Sequence, residues 1–247
     1  MLTVLPASFE RAHQRLQLVL APGRDGEDPT NPDTVQAMPI VLNIPKSNRP
    51  SRVELLEAAA RAVVAVCLDP RAGEATAFAD ALQRWYGARI RKIARRARNA
   101  QWERVQSLPG VTAEQGGAQA RAFVPSAVHA TEPLIAKLQI EGTDLPVAPL
   151  GAVATGIPLL VVDASLGMSV GKSAAQVGHA AMLLAAHFST DAAWRWAQQG
   201  YPLQVREVPR AQFASLAGRA DAVAVRDAGY TEVAPGSVTV VGLPNEF

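Results

Sequence analysis

The chain reads as an α/β protein: two tandem small mixed-sheet units with helices on both faces. Three observations predict this. A strand-length apolar run followed by a loop and a helix-forming stretch occurs twice, as PIVLNIP from Pro39 before RVELLEAAARAVV, and as PLLVVDA from Pro158 before SAAQVGHAAMLL. Later landmarks recur in the same order: Trp85 aligns with Trp196, Ala100-Gln101-Trp102 with Ala211-Gln212-Phe213, and Phe123-Val124-Pro125-Ser126 falls close to Val233-Ala234-Pro235-Gly236. The composition is globular, 49% hydrophobic and 19% charged, and 247 residues suffice for two domains of about 100 residues each.

Residues 1–37 form an N-terminal extension, a short helix or strand and then the turn-rich PGRDGEDPTNPD. Residues 38–130 make the first unit. Residues 131–156 are a Pro/Gly-punctuated connector whose middle, LIAKLQI, is ordered. Residues 157–247 make the second unit. The single cysteine, Cys67, rules out an internal disulfide and suits a reducing compartment. The first residues lack the basic–apolar–small pattern of a signal peptide, and no apolar run reaches the roughly 18–20 residues that span a bilayer. A soluble, cytoplasmic protein is expected. A net charge of +2 is too small to imply a polyanion partner, so any such argument rests on clustering.

The second unit carries the chemistry. After its first strand, Gly167 and Gly171 permit a tight turn, and a helix without proline follows. Spacing puts Lys172, Gln176 and His179 on one helix face. The other face is small and apolar (Ala174, Ala175, Gly178, Ala181, Leu184), suited to lying close to a sheet. Lys172 stands near the positive end of the helix dipole, a position that costs roughly 0.3–1 kcal/mol unless an anion is near. GMSVGKS is one residue short of the phosphate-cradling GxxxxGK[ST] loop, and too little chain follows it for a nucleotide-binding domain, so that reading is set aside. ADAVAVR alternates as a strand that ends at Asp227; SVTVVGL is another, carrying Thr239. His13, His129, His179, His187 and Cys67 show no metal-ligand spacing, and no GxSxG elbow occurs. No metal or organic cofactor is expected.

Taken together, VGKSAAQVGHAAM and DAGYTEVAPGSVTVVGLP, in this order and at this separation, resemble the type 2 peptidyl-tRNA hydrolase family over residues 157–247. The resemblance implies hydrolysis of the ester between a peptide and the terminal ribose of tRNA. It implies a catalytic set on Lys172, Gln176, Asp227, Thr231 and Thr239, with His179 a further candidate that also reads as a packing histidine. Asp227 would be the anion Lys172 lacks. Three departures stand out: Tyr230 replaces an arginine, Val177-Gly178 a Cys-Ser pair, and Asp163 occupies a place where arginine is common. The rival from another class is a non-catalytic tRNA- or ribosome-binding protein on the same scaffold.

The first unit has Val53, Glu57 and Ala60 at the places of Lys172, Gln176 and His179, and so reads as a degenerate copy. It gains charge instead: Arg89, Arg91, Lys92, Arg95, Arg96 and Arg98 lie in one stretch. That stretch has helical spacing, yet it aligns with YPLQVREVPR, which reads as a strand; strand is expected. The cluster is expected to hold phosphates of peptidyl-tRNA. Because the family the chain resembles forms dimers of single units, the two units here are expected to pack against each other as an internal pseudo-dimer, leaving the chain monomeric.

Overall fold

The computed structural model describes residues 4–22, 26–28, 30–147, 152–229 and 231–245. An N-terminal helix, α1 (Ala7–Gln17), precedes the first unit, which runs β1 (Gln36–Asn43), α2 (Arg52–Cys67), α3 (Ala77–Gly87), β2 (Lys92–Ala97), α4 (Ala100–Val105), β3 (Gly110–Gln115) and β4 (Ala118–Phe123). Two short elements, β5 (Ser126–Ala127) and α5 (Pro133–Ala136), lead into the connector. The second unit runs β6 (Leu159–Asp163), α6 (Val170–His187), α7 (Thr190–Gln198), β7 (Gln204–Val208), α8 (Arg210–Ala217), β8 (Val223–Arg226) and β9 (Val238–Leu243).

The two sheets have one topology. The first is ordered β2-β1-β4-β3, with β5 paired to β1; the second is β7-β6-β9-β8. In each, the first two strands of the unit pair in parallel, the last strand pairs antiparallel with the first, and the third pairs antiparallel with the last. Side-chain bonds repeat as well: Trp85 Nε1 donates to Arg91 O at 3.1 Å, and Trp196 Nε1 to Pro202 O at 2.7 Å. Alternation along the strands supplies both sides of each sheet with apolar side chains. Met38, Ile40, Leu42, Leu160 and Val162 enter one central core with α2 and α6. Val41 packs outward with Trp102 of α4 and Ile135 of α5, and Leu159 and Val161 pack outward with Phe213 of α8. The layers are thus helix, sheet, a central helix pair, sheet and helix. The stretch from Lys92 to Ala97 is a strand, as the repeat predicted, although its spacing alone pointed to helix.

One alignment is corrected. Phe123 ends β4 and lies beside β1 as Leu243 lies beside β6, so Val124-Pro125-Ser126 follow the last strand and do not match Val233–Gly236. The strands β3 and β4 are joined by a tight turn at Gly116 and Gly117, where β8 and β9 are joined by residues 227–237. The first unit therefore lacks the segment that carries Asp227 and Thr231; a register guess from short matches could not see a loop missing. The small face of α6 is also not turned only to a sheet. A Cβ built on Gly178 would sit 2.8 Å from Val63 Cγ2, so this glycine is what lets α6 approach α2.

Buried charge joins the units. Arg52, at the start of α2, donates Nε and Nη2 to the two Glu207 carboxylate oxygens at 2.8 Å each, and Nη2 to Met168 O at 3.0 Å. Glu57 accepts from Val205 N, on β7, at 3.0 Å; burial raises its carboxyl above the usual range, with that bond opposing. The helix α1 docks as well: His13, buried, is 2.9 Å from Ala185 O and 3.1 Å from Thr190 Oγ1. No helix among the described residues is long and apolar enough to cross a membrane.

Candidate active site

Ser169 starts α6 by accepting from Lys172 N at 3.1 Å, which fixes Lys172 in the first turn and Gln176 one turn on, on the same face. The strand β8 delivers Asp227 at its end, and the return from residue 237 into β9 delivers Thr239 beneath the helix. Asp227 N donates to Ser237 O at 2.9 Å and Gly236 N to Asp227 O at 2.8 Å, closing the base of the loop between them. Within it, Gly229 has φ +80 and its Cβ position would lie 2.4 Å from Pro235 Cγ, so a side chain there would open the turn.

These elements converge on one chain of hydrogen bonds. Thr239 Oγ1 donates to Gln176 Oε1 at 2.6 Å, and Gln176 Nε2 donates to Asp227 Oδ2 at 2.8 Å. Lys172 Nζ donates to the same Oδ2 at 2.5 Å and to Thr231 Oγ1 at 3.0 Å. Gly229 N donates to Asp227 Oδ1 at 2.8 Å. The ion pair is largely withdrawn from water, with side-chain exposures of 11% for Lys172 and 8% for Asp227, whereas Thr231 is exposed. Thr239 is fully buried. Lys172, Gln176, Asp227, Thr231 and Thr239 are all in this network. His179 follows on the same helix face, half-buried. Tyr230 lies outside the described residues.

Donor and acceptor counts say what the arrangement can do. An ammonium has three N–H bonds, and two of those on Lys172 are engaged. A carboxylate has about four lone-pair sites, and Asp227 fills three. Thr231 accepts from Lys172 and keeps its own O–H to give. Among the described residues, one cationic N–H, one carboxylate lone pair and one hydroxyl are thus left to act at the edge of a buried ion pair. That set can orient a water and stabilise negative charge forming on a carbonyl oxygen.

Neighbouring features lie outside the network. A cavity of about 270 Å³ opens on the far side of Ser169, lined by Arg52, Asp163, Met168 and Glu207 among others and by none of the five network residues. Asp163 is buried; its Oδ2 accepts from Arg210 at 2.5 Å and its Oδ1 from Ser165. Burial pushes its carboxyl up, but those bonds outweigh it and hold it below the usual range. No group of three or more His, Cys, Asp and Glu fit to hold a metal ion occurs among the described residues.

The six cations of the first unit do not form one face. Pleating sends neighbours on β2 to opposite sides. Arg95 donates to Ala136 O and Leu138 O at 3.1 and 2.8 Å, and Arg96 to Glu141 O at 2.9 Å and to Gln139. Arg91 pairs with Glu27 at 3.1 Å. Lys92 turns inward, its Nζ 4.9 Å from the Trp85 ring centre and 4.0 Å from Met182 Sδ, and burial pushes its ammonium down to about 7. Arg89 is exposed and Arg98 half-buried. Of the stretch, four cations serve the connector, the N-terminal segment and the unit interface. Sequence reasoning missed Ser169, Glu232, Arg52 and Glu207. Only Ser169 had a signal, a helix-capping residue three places before Lys172.

The network sits where known proteins match this chain. A family model described as peptidyl-tRNA hydrolase PTH2 matches residues 158–246. A protein of Metallosphaera sedula named peptidyl-tRNA hydrolase is 33% identical over 98 residues, covering 34% of this chain and 82% of its own length. The chain belongs to the peptidyl-tRNA hydrolase PTH2 family. A second relative with the same name, from Sulfurisphaera tokodaii, is 31% identical over 98 residues, covering 34% of this chain and 81% of its own. The PTH2 match lies within the second unit, so the likeness of the first unit rests on strand order and register.

Proposed function

We propose that this chain hydrolyses the ester linking a peptide to the terminal ribose of tRNA, with the second unit, residues 157–247, as the catalytic domain. One observation carries the reading: Thr239, Gln176, Asp227, Lys172 and Thr231, drawn from three separate stretches, join in a single chain of hydrogen bonds ending at an exposed hydroxyl. Asp227 and Thr231 orient a water toward the ester carbonyl. The third N–H of Lys172 takes the negative charge that develops on its oxygen. Water adds to the carbonyl carbon, the bond to the ribose oxygen breaks, and a proton from the water ends on that oxygen. Gln176 holds Asp227 in place, and Thr239 holds Gln176.

The first unit, residues 38–130, is the non-catalytic partner in this reading. Where Gln176 meets Asp227, the first unit has Glu57 bound to the neighbouring unit's strand, and it has no counterpart of the 227–237 loop. The internal pair takes the place of a dimer of single units, and the working form is a monomer. The direct test is release of tRNA from a labelled peptidyl-tRNA by the purified chain. Turnover supports the enzyme; tight binding of the substrate without release points instead to an RNA-binding protein on this scaffold.

A further inference from the structure

The hydrolase reading leaves Glu232 without a role, yet its carboxylate makes two of the shorter bonds near the site. Oε2 accepts from Ser169 N and Oε1 from Ser169 Oγ, both at 2.7 Å. Ser169 is the residue that caps α6, its Oγ also accepting from Lys172 N at 3.1 Å. The helix has no acidic residue of its own in the first turn. Glu232 supplies that carboxylate from another segment, at the end of the helix where negative charge is favoured.

The connections close a ring. Lys172 Nζ bonds Thr231 Oγ1; the chain passes from Thr231 to Glu232; Glu232 bonds Ser169; Ser169 bonds Lys172 N. Between Asp227 and Ser237 the loop is fixed at its base, and Val233 packs partly against the core. Among the described residues, the polar ties that bind its exposed crest to α6 are those of Thr231 and Glu232. Among the described residues, Thr231 itself is held by one bond at 3.0 Å, to a lysine ammonium that Asp227 also holds. The carboxylate next to it grips a backbone N–H, whose position is set by the helix itself.

We propose that Glu232 is a positioning residue for the hydrolysis proposed above, on which this inference rests: it clamps Ser169 so that the Thr231 hydroxyl stays seated on Lys172. It touches neither the water nor the ester. A hydroxyl that must be in place when the substrate arrives gains from a clamp already closed in the free protein, because small misplacements of reacting groups cost large factors in rate.

The test uses Glu232→Ala, Glu232→Gln and Ser169→Gly in the full chain, glycine being chosen because it caps a helix nearly as well as serine. Glu232→Ala is expected to lower kcat about tenfold or more with KM changed less than about twofold, and Glu232→Gln, which keeps a carbonyl acceptor, to recover much of the loss. The double variant Ser169→Gly/Glu232→Ala is expected to lose no more than Glu232→Ala alone. Hydrogen exchange of the Ser169 amide should be slow in the wild type and faster in Glu232→Ala, a readout that needs no turnover. An unchanged kcat with a lower KM would overturn the proposal, making Glu232 only a negative charge at the rim facing RNA. Additive losses would overturn it too. A wild-type chain without turnover sinks the hydrolase reading, and the positioning role with it; the amide exchange then shows separately whether the clamp exists.

Discussion

Removing either member of the Lys172–Asp227 pair perturbs the site unequally, and the bond inventory says by how much. In Lys172→Met, Asp227 keeps Gln176 Nε2 and Gly229 N as donors. The losses are the charge-assisted bond to Asp227, about 1.5–3 kcal/mol, and the bond to the exposed Thr231, which water can replace. In Asp227→Asn the amide oxygen at the Oδ2 place can still accept from Lys172 Nζ and Gln176 Nε2, but the NH2 then faces the Gly229 N–H, and the ammonium stays buried without an anion. That is the situation in which breaking a buried pair costs about 3–5 kcal/mol. At roughly 2–4 °C per kcal/mol for a chain of this size, Tm should fall on the order of 10 °C for Asp227→Asn and about half that for Lys172→Met. In single-turnover release assays each variant should lose at least about 100-fold in rate, and the double variant little more than the worse single one. Additive rate losses, or a Lys172→Met variant less stable than Asp227→Asn, would refute the coupled-pair account.

Three further predictions concern the unit interface. Lys92 lies where the second unit has the buried Leu203, so Lys92→Leu fits the packing. With the folded-state value pushed down to about 7, against about 10.4 unfolded, the unfolded chain binds more protons across that window. Wild-type stability should therefore rise between about pH 7 and 10 by at most about 1.4 kcal/mol per unit, and urea melts of Lys92→Leu should lose this component of the slope. Gly178→Ala drives a methyl against Val63 and should cost about 1–3 kcal/mol, recovered in part by Val63→Ala. Sedimentation of the wild type and of this double variant should give the 26.1 kDa monomer, and a dimer would contradict the internal-pair reading.

Local pattern made the second unit legible. The apolar run before Asp163, the proline-free stretch after Gly171 and the alternation before Asp227 each gave the element that forms, and helical spacing alone put Lys172 and Gln176 on one face. The lysine's awkward place at the helix start asked for an anion, and Asp227 fills it. What stayed hidden depends on contacts between distant segments. Glu232 looks like a loop acid until the loop folds back onto Ser169. The Arg89–Arg98 stretch looks like a basic face because sequence does not show which carbonyls of the connector will meet Arg95 and Arg96, or that Lys92 points into an interface. Arg52 and Glu207, far apart in the chain, each read as a surface charge, and only the packing of α2 beside β7 buries them as a pair. The match of Phe123-Val124-Pro125-Ser126 with Val233-Ala234-Pro235-Gly236 misleads because the sequence near Pro125 resembles a loop that this unit does not possess.

The central claim is that the chain of bonds ending at Thr231 hydrolyses the ester of peptidyl-tRNA. The most direct measurement is the single-turnover rate of tRNA release from a labelled peptidyl-tRNA, with the tRNA folded beforehand and a chelator present, for the wild type and Asp227→Asn at matched substrate occupancy. The predicted result is release by the wild type and a rate on the order of 10²–10⁴ lower in the variant. Equal release rates in the two proteins, or none in either, would contradict the account.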